Sequence, residues 1–303
     1  MTRRSCFRYS VLLCACLLVT LPSVAQNAAI STDPEPDKAN SAAMQSFQFD
    51  SHGSLLNAFV YVAAGSPPHP TVILLHGFPG NERNLDLAQS IRRAGWNVLY
   101  FDYRGSWGSP GDFSFIHCIE DTQSAIAYLR ETSNAARLRS DAKTIVLVGH
   151  SMGGFVALEA GAFDSTIRAI VTISAADLGT SRLQAVPADK HDFTVKGLAA
   201  SLAHEGMAPL AGTSPEKLAN EVIANATKWS FVNLAPKLAT RPLVVITSDD
   251  GLAPPSNALV DAVKESGNQQ VNAIHISTDH SYSDHRIALQ QVILDSLGLL
   301  NQK

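Results

Sequence analysis

From residue 46 onward, short runs of apolar and β-branched residues alternate with longer segments in which apolar residues recur about every 3.6 positions. Three of the short runs, 72–75, 145–148 and 243–246, contain apolar residues only. Runs of this kind are typical of strands that helices cover on both faces, and strand–helix alternation is typical of a parallel sheet. The sequence therefore predicts an α/β fold with eight strands, at 46–49, 57–63, 71–75, 97–102, 144–148, 169–173, 243–247 and 271–276.

One long segment, 176–240, interrupts this alternation. It shows helical periodicity at about 192–204 and 215–228 and contains no convincing strand, so we predict a helical lid inserted after the sixth strand. Its large apolar residues either cover a ligand pocket or bury the underside of the insertion itself; they are Phe193, Leu198, Leu202, Met207, Trp229 and Phe231.

The first 25 residues have the composition of a signal peptide. Arg3, Arg4 and Arg8 precede an apolar run over residues 11–21, and small residues follow it. This run is shorter than the ~20 residues of a spanning helix, so we expect cleavage rather than a retained membrane anchor. A lipoprotein signal ending at Cys16 is disfavoured because the apolar run continues beyond it. We expect an exported protein, periplasmic or secreted, with no stable membrane span after cleavage, a flexible tether over residues 26–45 and one domain over 46–303.

Charge and cysteine content exclude some classes of protein. The net charge of -4 offers no basic surface of the kind that binds nucleic acid. Three of the four cysteines, Cys6, Cys14 and Cys16, lie in the predicted signal peptide, so the mature chain retains only Cys118 and cannot form an internal disulfide. The oligomeric state cannot be inferred from the sequence.

The sequence Gly149-His150-Ser151-Met152-Gly153 lies directly after a predicted strand and directly before an apolar helical segment. A nucleophilic serine requires a sharp strand-to-helix turn that exposes its Oγ, and glycines on either side relieve the crowding in that turn. The alternative is a glycine-rich helix entrance that binds an anion. The strand and helix around the pentapeptide favour the nucleophile.

With this motif in place, the sequence resembles the α/β-hydrolase superfamily from about residue 46 to the end. The resemblance extends to His76-Gly77-Phe78 after the third strand and to the segment 102–109 after the fourth. The form of residues 104–108 is also similar to the dienelactone hydrolases and the catalytic domain of prolyl oligopeptidases. The family resemblance implies a mostly parallel eight-stranded sheet and an oxyanion hole, for which the N–H groups of Phe78 and Met152 are the candidates.

The catalytic acid of this family follows the serine in the chain and precedes the histidine. Asp250 lies after the seventh strand, four residues before Pro254, which is the spacing that the family commonly shows. Asp249 is the alternative, more suited to bracing the loop, and Asp177 is a third candidate because some relatives place the acid after the sixth strand.

The catalytic base is expected between the eighth strand and the last helix. His280 lies there, whereas His285 is expected within the helix and His275 within the strand. His76 comes too early in the chain and is expected to make a structural hydrogen bond. The predicted triad is therefore Ser151, His280 and Asp250.

This triad predicts an acyl hydrolase acting on small carboxylic esters through an acyl-enzyme. It requires no cofactor, and the ten histidines show no metal-ligand spacing. Two alternatives remain: a serine peptidase or aminoacyl amidase similar to prolyl oligopeptidase, and a catalytically silent binding protein of the same fold.

Overall fold

The computed structural model describes residues 28–179 and 191–301. The predicted signal peptide lies outside these residues. The strands are β1 Ala43–Ser51, β2 Ser54–Val62, β3 His69–Leu75, β4 Asn97–Phe101, β5 Ser140–His150, β6 Ala169–Ile173, β7 Leu243–Thr247 and β8 Val271–His275. The helices are α1 Leu85–Arg93, α2 Phe115–Arg130, α3 Thr132–Leu138, α4 Met152–Ala162, α5 His191–His204, α6 Pro215–Asn225, α7 Ala235–Leu238, α8 Ala253–Glu265 and α9 Arg286–Asn301.

The eight strands form one sheet in the order β1-β2-β4-β3-β5-β6-β7-β8. Strand β2 runs antiparallel to both of its neighbours, and the strands from β4 to β8 pair in parallel. The predicted α/β fold with eight strands, mostly parallel, is therefore confirmed. The parallel arrangement brings the carboxyl ends of β3, β5, β6, β7 and β8 to the same edge of the sheet, where ligands bind in folds of this type.

The interior strands are rich in apolar residues because helices cover both faces of the sheet. Along β5, Ile145 and Leu147 belong to the core beneath α2 and α4, whereas Val146 and Val148 belong to the core beneath α1 and α9. Successive side chains of a strand point to opposite faces, so a strand with two buried faces needs apolar residues at every position. The edge strand β8 is much more exposed, as expected for a strand with one neighbour.

The first strand begins earlier than predicted. Residues 43–45, assigned above to the flexible tether, pair with Val60, Tyr61 and Val62 of β2. The ladder uses backbone groups, so it extends into a segment without apolar periodicity. Upstream, the Arg93 guanidinium donates from Nε to the Ala29 carbonyl at 2.5 Å, and Ala29 is buried. Strand β1 thus begins three residues before the predicted start of the domain at residue 46, and Ala29 also contacts the domain.

The insertion after β6 is helical, as predicted. Its described part contains α5, α6, a 3-10 turn over Phe231–Leu234 and α7. Trp229 and Phe231 are fully buried, and the Trp229 ring meets Phe155 of α4 edge-on at 5.2 Å. These two residues bury the underside of the insertion, which is one of the two alternatives considered above. Leu198, Leu202 and Met207 are partly buried against the same core. The Phe193 side chain and residues 180–190 lie outside the described part of the chain.

Candidate active site

Ser151 lies between the last residue of β5 and the first residue of α4, with φ 58° and ψ −122°. The glycines beside it are tightly enclosed. A Cβ at Gly149 would lie 2.0 Å from the Gly153 carbonyl oxygen, and a Cβ at Gly153 would lie 2.2 Å from the Leu75 carbonyl oxygen. No larger residue fits at either position without displacing backbone. The structure thus contains the sharp strand-to-helix turn that the motif predicts.

The loop after β3 lies directly against this turn. A Cβ at Gly77 would be 3.0 Å from Ser151 Cβ, so glycine lets the backbone approach the serine closely. The next residue is Phe78, and Met152 follows Ser151 as the first residue of α4, where an N–H has no intrahelical acceptor. Within the described residues, neither the Phe78 N–H nor the Met152 N–H donates to an acceptor. Both N–H groups are therefore free to donate a hydrogen bond, and the oxyanion hole stays a prediction.

His280 and Asp250 come from the loops after β8 and β7 and form a hydrogen bond. The Nδ1 atom of His280 lies 2.7 Å from Oδ2 of Asp250, and the Asp250 side chain is 5% exposed. Burial alone would raise the pKa of Asp250, but hydrogen bonds from His280 and from the Leu252 N–H hold this pKa below its usual value. The carboxylate is therefore ionised at neutral pH. Because it bonds Nδ1 of His280, the Nε2 atom of this ring is available to another partner.

Ser151 and His280 line the same cleft, which has a volume of about 160 Å³. The loop containing Phe78 forms another wall, and Glu82 and Glu205 also line the cleft. No hydrogen bond joins the Ser151 hydroxyl to the His280 imidazole among the described residues. In unliganded active sites this contact is often long and tightens only when substrate binds.

His150 also contacts His280, and sequence reasoning assigned it no role. Its Nε2–H donates to the His280 carbonyl oxygen at 2.8 Å, and the two rings lie 4.8 Å apart. Burial, followed by the nearby His280, lowers the pKa of His150 to about 4, so its ring is neutral at neutral pH. His150 lies within the motif around Ser151, but nothing in the sequence indicates a contact with a residue 130 positions away.

The alternative acids have other partners. Asp249 accepts hydrogen bonds from His275 at 3.0 Å and from the Ser277 hydroxyl at 2.5 Å, which braces the loop as expected. Asp177 accepts from the N–H groups of Gly179 and Phe231, and it therefore ties the insertion to the end of β6.

The alternative bases are also occupied elsewhere. His275 is the last residue of β8, as predicted, whereas His285 precedes α9 rather than lying within it and pairs with Asp284 at 2.9 Å. His76 is buried, and its Nδ1–H donates to the Gly77 carbonyl oxygen at 2.8 Å. Burial lowers the pKa of His76 to about 4. Of the candidate histidines, His280, which is bonded to Asp250, lines the cleft with Ser151.

Two kinds of feature are not found in the part of the chain that the structure describes. Residues 28–179 and 191–301 contain no group of three or more His, Cys, Asp or Glu side chains arranged to hold a metal ion. Over the same residues, no helix combines the length and apolar character needed to cross a membrane.

Comparison with known proteins gives relatives that match part of the chain. The chain is 33% identical over 139 residues to an uncharacterized protein, YfhR, of Salmonella typhimurium, which covers 44% of this chain and 46% of that protein. It is 30% identical over 131 residues to the quorum-quenching protein AidA of Acinetobacter baumannii, which covers 41% of each. The matches thus span less than half the length of either relative.

Solved structures share the fold at low sequence identity. A lipase in its open form has a TM-score of 0.65 at 15% identity, with 86% of this chain and 100% of that chain covered. The carboxylesterase EstE1 from a metagenomic library has a TM-score of 0.64 at 17% identity, with 90% of this chain and 92% of that chain covered. Est1E from Butyrivibrio proteoclasticus, bound to ferulic acid, has a TM-score of 0.61 at 20% identity, covering 85% and 100%.

The sequence match at the level of the family is more extensive. Residues 72–286, well over half of the chain, match the alpha/beta hydrolase family. This segment includes the turn at Ser151, the loop at Phe78 and the pair formed by Asp250 and His280. The chain belongs to the α/β-hydrolase family, and its fold is the α/β-hydrolase fold.

Proposed function

We propose that this protein is a serine hydrolase that cleaves carboxylic esters through an acyl-enzyme on Ser151. The observation that carries the proposal is the 2.7 Å hydrogen bond between Asp250 and His280 beside a serine in a strand-to-helix turn, with Ser151 and His280 lining one cleft. A serine hydroxyl is a weak nucleophile at neutral pH and needs such a base.

In the proposed reaction, Oγ of Ser151 attacks the ester carbonyl carbon while Nε2 of His280 takes the hydroxyl proton. The negative charge that develops on the carbonyl oxygen is stabilised by the N–H groups of Phe78 and Met152. When the tetrahedral intermediate collapses, the bond to the alkoxy group breaks and His280 gives its proton to the leaving alcohol. Water, deprotonated by His280, then attacks the acyl-enzyme, releases the carboxylic acid and regenerates Ser151.

Asp250 has an electrostatic and orienting role in this scheme. Its carboxylate accepts the Nδ1–H bond and thereby fixes the tautomer in which Nε2 can accept a proton. It also stabilises the imidazolium that forms when His280 takes the serine proton. The triad works without a cofactor.

The comparisons support ester cleavage as the reaction class. The structural neighbours include esterases and a lipase, one of them solved with the small aromatic acid ferulic acid. The cleft of about 160 Å³ is suited to a small acyl group. We further propose that residues 1–25 are a cleaved signal peptide and that the enzyme acts in the periplasm or outside the cell.

The test of the serine is labelling with a fluorophosphonate probe. We expect stoichiometric modification of Ser151 in the intact protein and none in Ser151→Ala, because the probe reports an activated hydroxyl. Absence of labelling in folded wild-type protein would exclude the hydrolase and favour a catalytically silent binding protein.

The test of the bond type is a substrate panel. Purified mature protein is assayed on p-nitrophenyl esters of increasing acyl length and on aminoacyl p-nitroanilides. We expect hydrolysis of short esters with a much higher kcat/KM than of any amide. A preference for the amides would instead indicate a peptidase, in line with the resemblance of residues 104–108 to prolyl oligopeptidases.

A further inference from the structure

An indole ring supports the loop that carries Phe78. We call residues 76–84, between β3 and α1, the Phe78 loop. Nε1–H of Trp107 donates a hydrogen bond to the Pro79 carbonyl oxygen at 2.8 Å, which fixes the residue directly after Phe78. Trp107 lies in the segment 102–109 after β4, and no role was predicted for it from the sequence. It is not among the described residues that line the cleft with Ser151.

The Phe78 loop is held on both sides of the candidate oxyanion donor. On one side, Nδ1–H of His76 donates to the Gly77 carbonyl oxygen at 2.8 Å. That carbonyl and the Phe78 N–H belong to one planar peptide unit, so the orientation of the carbonyl fixes the direction of the N–H. On the other side, Trp107 holds the Pro79 carbonyl. The two hydrogen bonds thus restrain the backbone before and after Phe78.

Gly80, the next residue of the Phe78 loop, contacts both of these rings. A Cβ at Gly80 would lie 2.6 Å from Nε1 of Trp107 and 2.6 Å from Nδ1 of His76, so no side chain fits there without displacing a ring. Gly80 also has φ 100°, in the region that favours glycine. The loop therefore packs against the indole as closely as a backbone without a side chain allows, and a change in this ring should move the loop.

Trp107 is itself held by two other parts of the chain. Its backbone N–H donates to the Pro209 carbonyl oxygen of the insertion at 3.0 Å, beside a β-bridge between Ser106 and Leu210. The Arg83 guanidinium lies over the indole, 4.4 Å from the ring centroid, which is a favourable cation–π contact. Trp107 has φ 48°, in the left-handed region, and such a conformation persists only where the surrounding structure enforces it. The indole is therefore a fixed support for the loop.

We propose that Trp107 is a positioning residue that holds the Phe78 loop where the Phe78 N–H can donate to the oxyanion. This inference rests on the proposed function, in which the N–H groups of Phe78 and Met152 stabilise the tetrahedral intermediate. A donor of this kind is effective only if it is oriented before the charge develops. The Met152 N–H is oriented by the first turn of α4, whereas the Phe78 N–H belongs to a loop and needs support from outside it.

The experiment compares two replacements at Trp107 with the same two at Trp229. Trp107→Phe introduces a smaller ring without an N–H. Site-specific incorporation of 3-benzothienylalanine keeps the size of the indole and replaces only its N–H by sulfur. Trp229 is the matched control, because its Nε1 has no hydrogen-bond partner among the described residues. Folding is checked by circular dichroism, and the concentration of active sites is titrated with the fluorophosphonate.

The readout that isolates the oxyanion is inhibition by an alkyl trifluoromethyl ketone, measured beside kcat and KM on one p-nitrophenyl ester. Oγ of Ser151 forms a bond to the ketone carbonyl carbon, the serine proton passes to Nε2 of His280, and the electron pair of the carbonyl π bond moves to the oxygen. The hemiketal anion that forms has its charge where the tetrahedral intermediate has it, so its Ki reports the stabilisation of the oxyanion.

We expect both replacements at Trp107 to lower kcat per active site by about five- to thirtyfold, with KM within about twofold of wild type. Removing an oxyanion donor outright costs on the order of 10²- to 10³-fold, and displacing one should cost less. The Ki of the ketone should rise by the same factor as kcat falls. Both replacements at Trp229 should leave kcat and Ki within about twofold of wild type, because no hydrogen bond is lost there.

Wild-type kcat and Ki in the folded benzothienylalanine-107 protein would overturn the positioning role while the hydrolase remains. A fall in kcat with an unchanged Ki would also overturn it, because Trp107 would then affect a step other than stabilisation of the oxyanion. If Trp107→Phe does not fold, the benzothienylalanine protein decides. Failure of the proposed function has a different signature, since wild-type protein would then neither react with the fluorophosphonate nor hydrolyse the ester.

Discussion

Two aspartate–histidine pairs lie side by side at the carboxyl edge of the sheet. Asp249 pairs with His275 at 3.0 Å, and Asp250 pairs with His280 at 2.7 Å. The acids are neighbours in the chain and the histidines are only five residues apart. The side chains of the first pair are 59% and 49% exposed, whereas those of the second are 5% and 39% exposed.

The difference between the pairs is one of burial and of neighbours. An exposed ion pair is screened by water and contributes little, whereas a buried carboxylate keeps a fixed orientation and a strong interaction with its partner. Only the second pair has its histidine in the cleft with Ser151. Residue type and short distance are thus insufficient to identify a catalytic pair. In the proposed triad, the buried carboxylate of Asp250 and the cleft that His280 shares with Ser151 distinguish this pair from the other one.

The largest expected effect on activity distinguishes His280 from His275. Under the proposed mechanism, His280→Ala removes the base and should lower kcat/KM for an ester on the order of 10⁴-fold or more. The matched change His275→Ala should leave kcat/KM within about threefold of wild type, because His275 only braces a loop. Steady-state kinetics on one p-nitrophenyl ester measures both. An active His280→Ala protein would show that the base was wrongly assigned.

The two acids should differ almost as much. Asp250→Asn keeps the shape of the side chain but removes the charge and favours the wrong imidazole tautomer, so we expect kcat to fall about 10³- to 10⁴-fold. In Asp249→Asn, kcat should fall by less than about threefold, since the Asp249 carboxylate faces solvent. Comparable losses in the two variants would contradict the distinction drawn from burial.

A third carboxylate, that of Glu159, shows how burial changes a pKa when the carboxylate lacks hydrogen bonds. Glu159 lies in α4 and is 3% exposed, and its Oε1 has no hydrogen-bond partner among the described residues. Burial raises the pKa of Glu159 to about 7, although Lys228 and Lys237 lower it. Asp250 is also buried, but its hydrogen bonds reverse the direction of the shift.

This contrast gives the smallest of the predicted effects, on stability. Because the pKa of Glu159 is raised in the folded state, its protonated form stabilises the protein below about pH 4.5, and this contribution is lost as the pH rises through about 7. Glu159→Gln is neutral at every pH, so its stability relative to wild type should increase over this range by up to about 3 kcal/mol.

Urea unfolding of both proteins at pH 5 and pH 9 measures this difference, and other titrating groups cancel because they are common to both. The control is Glu265→Gln at the exposed end of α8, whose stability relative to wild type should change little with pH. A difference for Glu159→Gln that is the same at both pH values would show that Glu159 is not buried without a partner.

Much of the fold was predictable from local patterns. Eight short runs of apolar and β-branched residues predicted eight strands, and three of the interior runs are wholly apolar because burial on both faces forces apolar residues at successive positions. The start of β1 at Ala43 was missed, because pairing with β2 depends on backbone hydrogen bonds that leave no trace in side-chain type. The glycines around Ser151 were informative because the turn leaves no room for a side chain. Gly149 lies against the Gly153 backbone, and Gly153 lies against the Leu75 backbone.

The partners in the candidate site were harder to predict. The sequence favoured Asp250 and His280 only through spacing and the order of the family, and it left Asp249, Asp177 and His285 as alternatives. The contact of His150 was missed because it joins residues that lie far apart along the chain.

The sequence alone determined the alternation of strands and helices and the position of the turn at Ser151, because both depend on neighbouring residues and on the burial that each strand requires. The tertiary structure decided which aspartate meets which histidine, and it brought the hydroxyls of Ser174, Ser248 and Tyr282 together. Those contacts join the ends of three separate strands, so they exist only once the parallel sheet has aligned β6, β7 and β8.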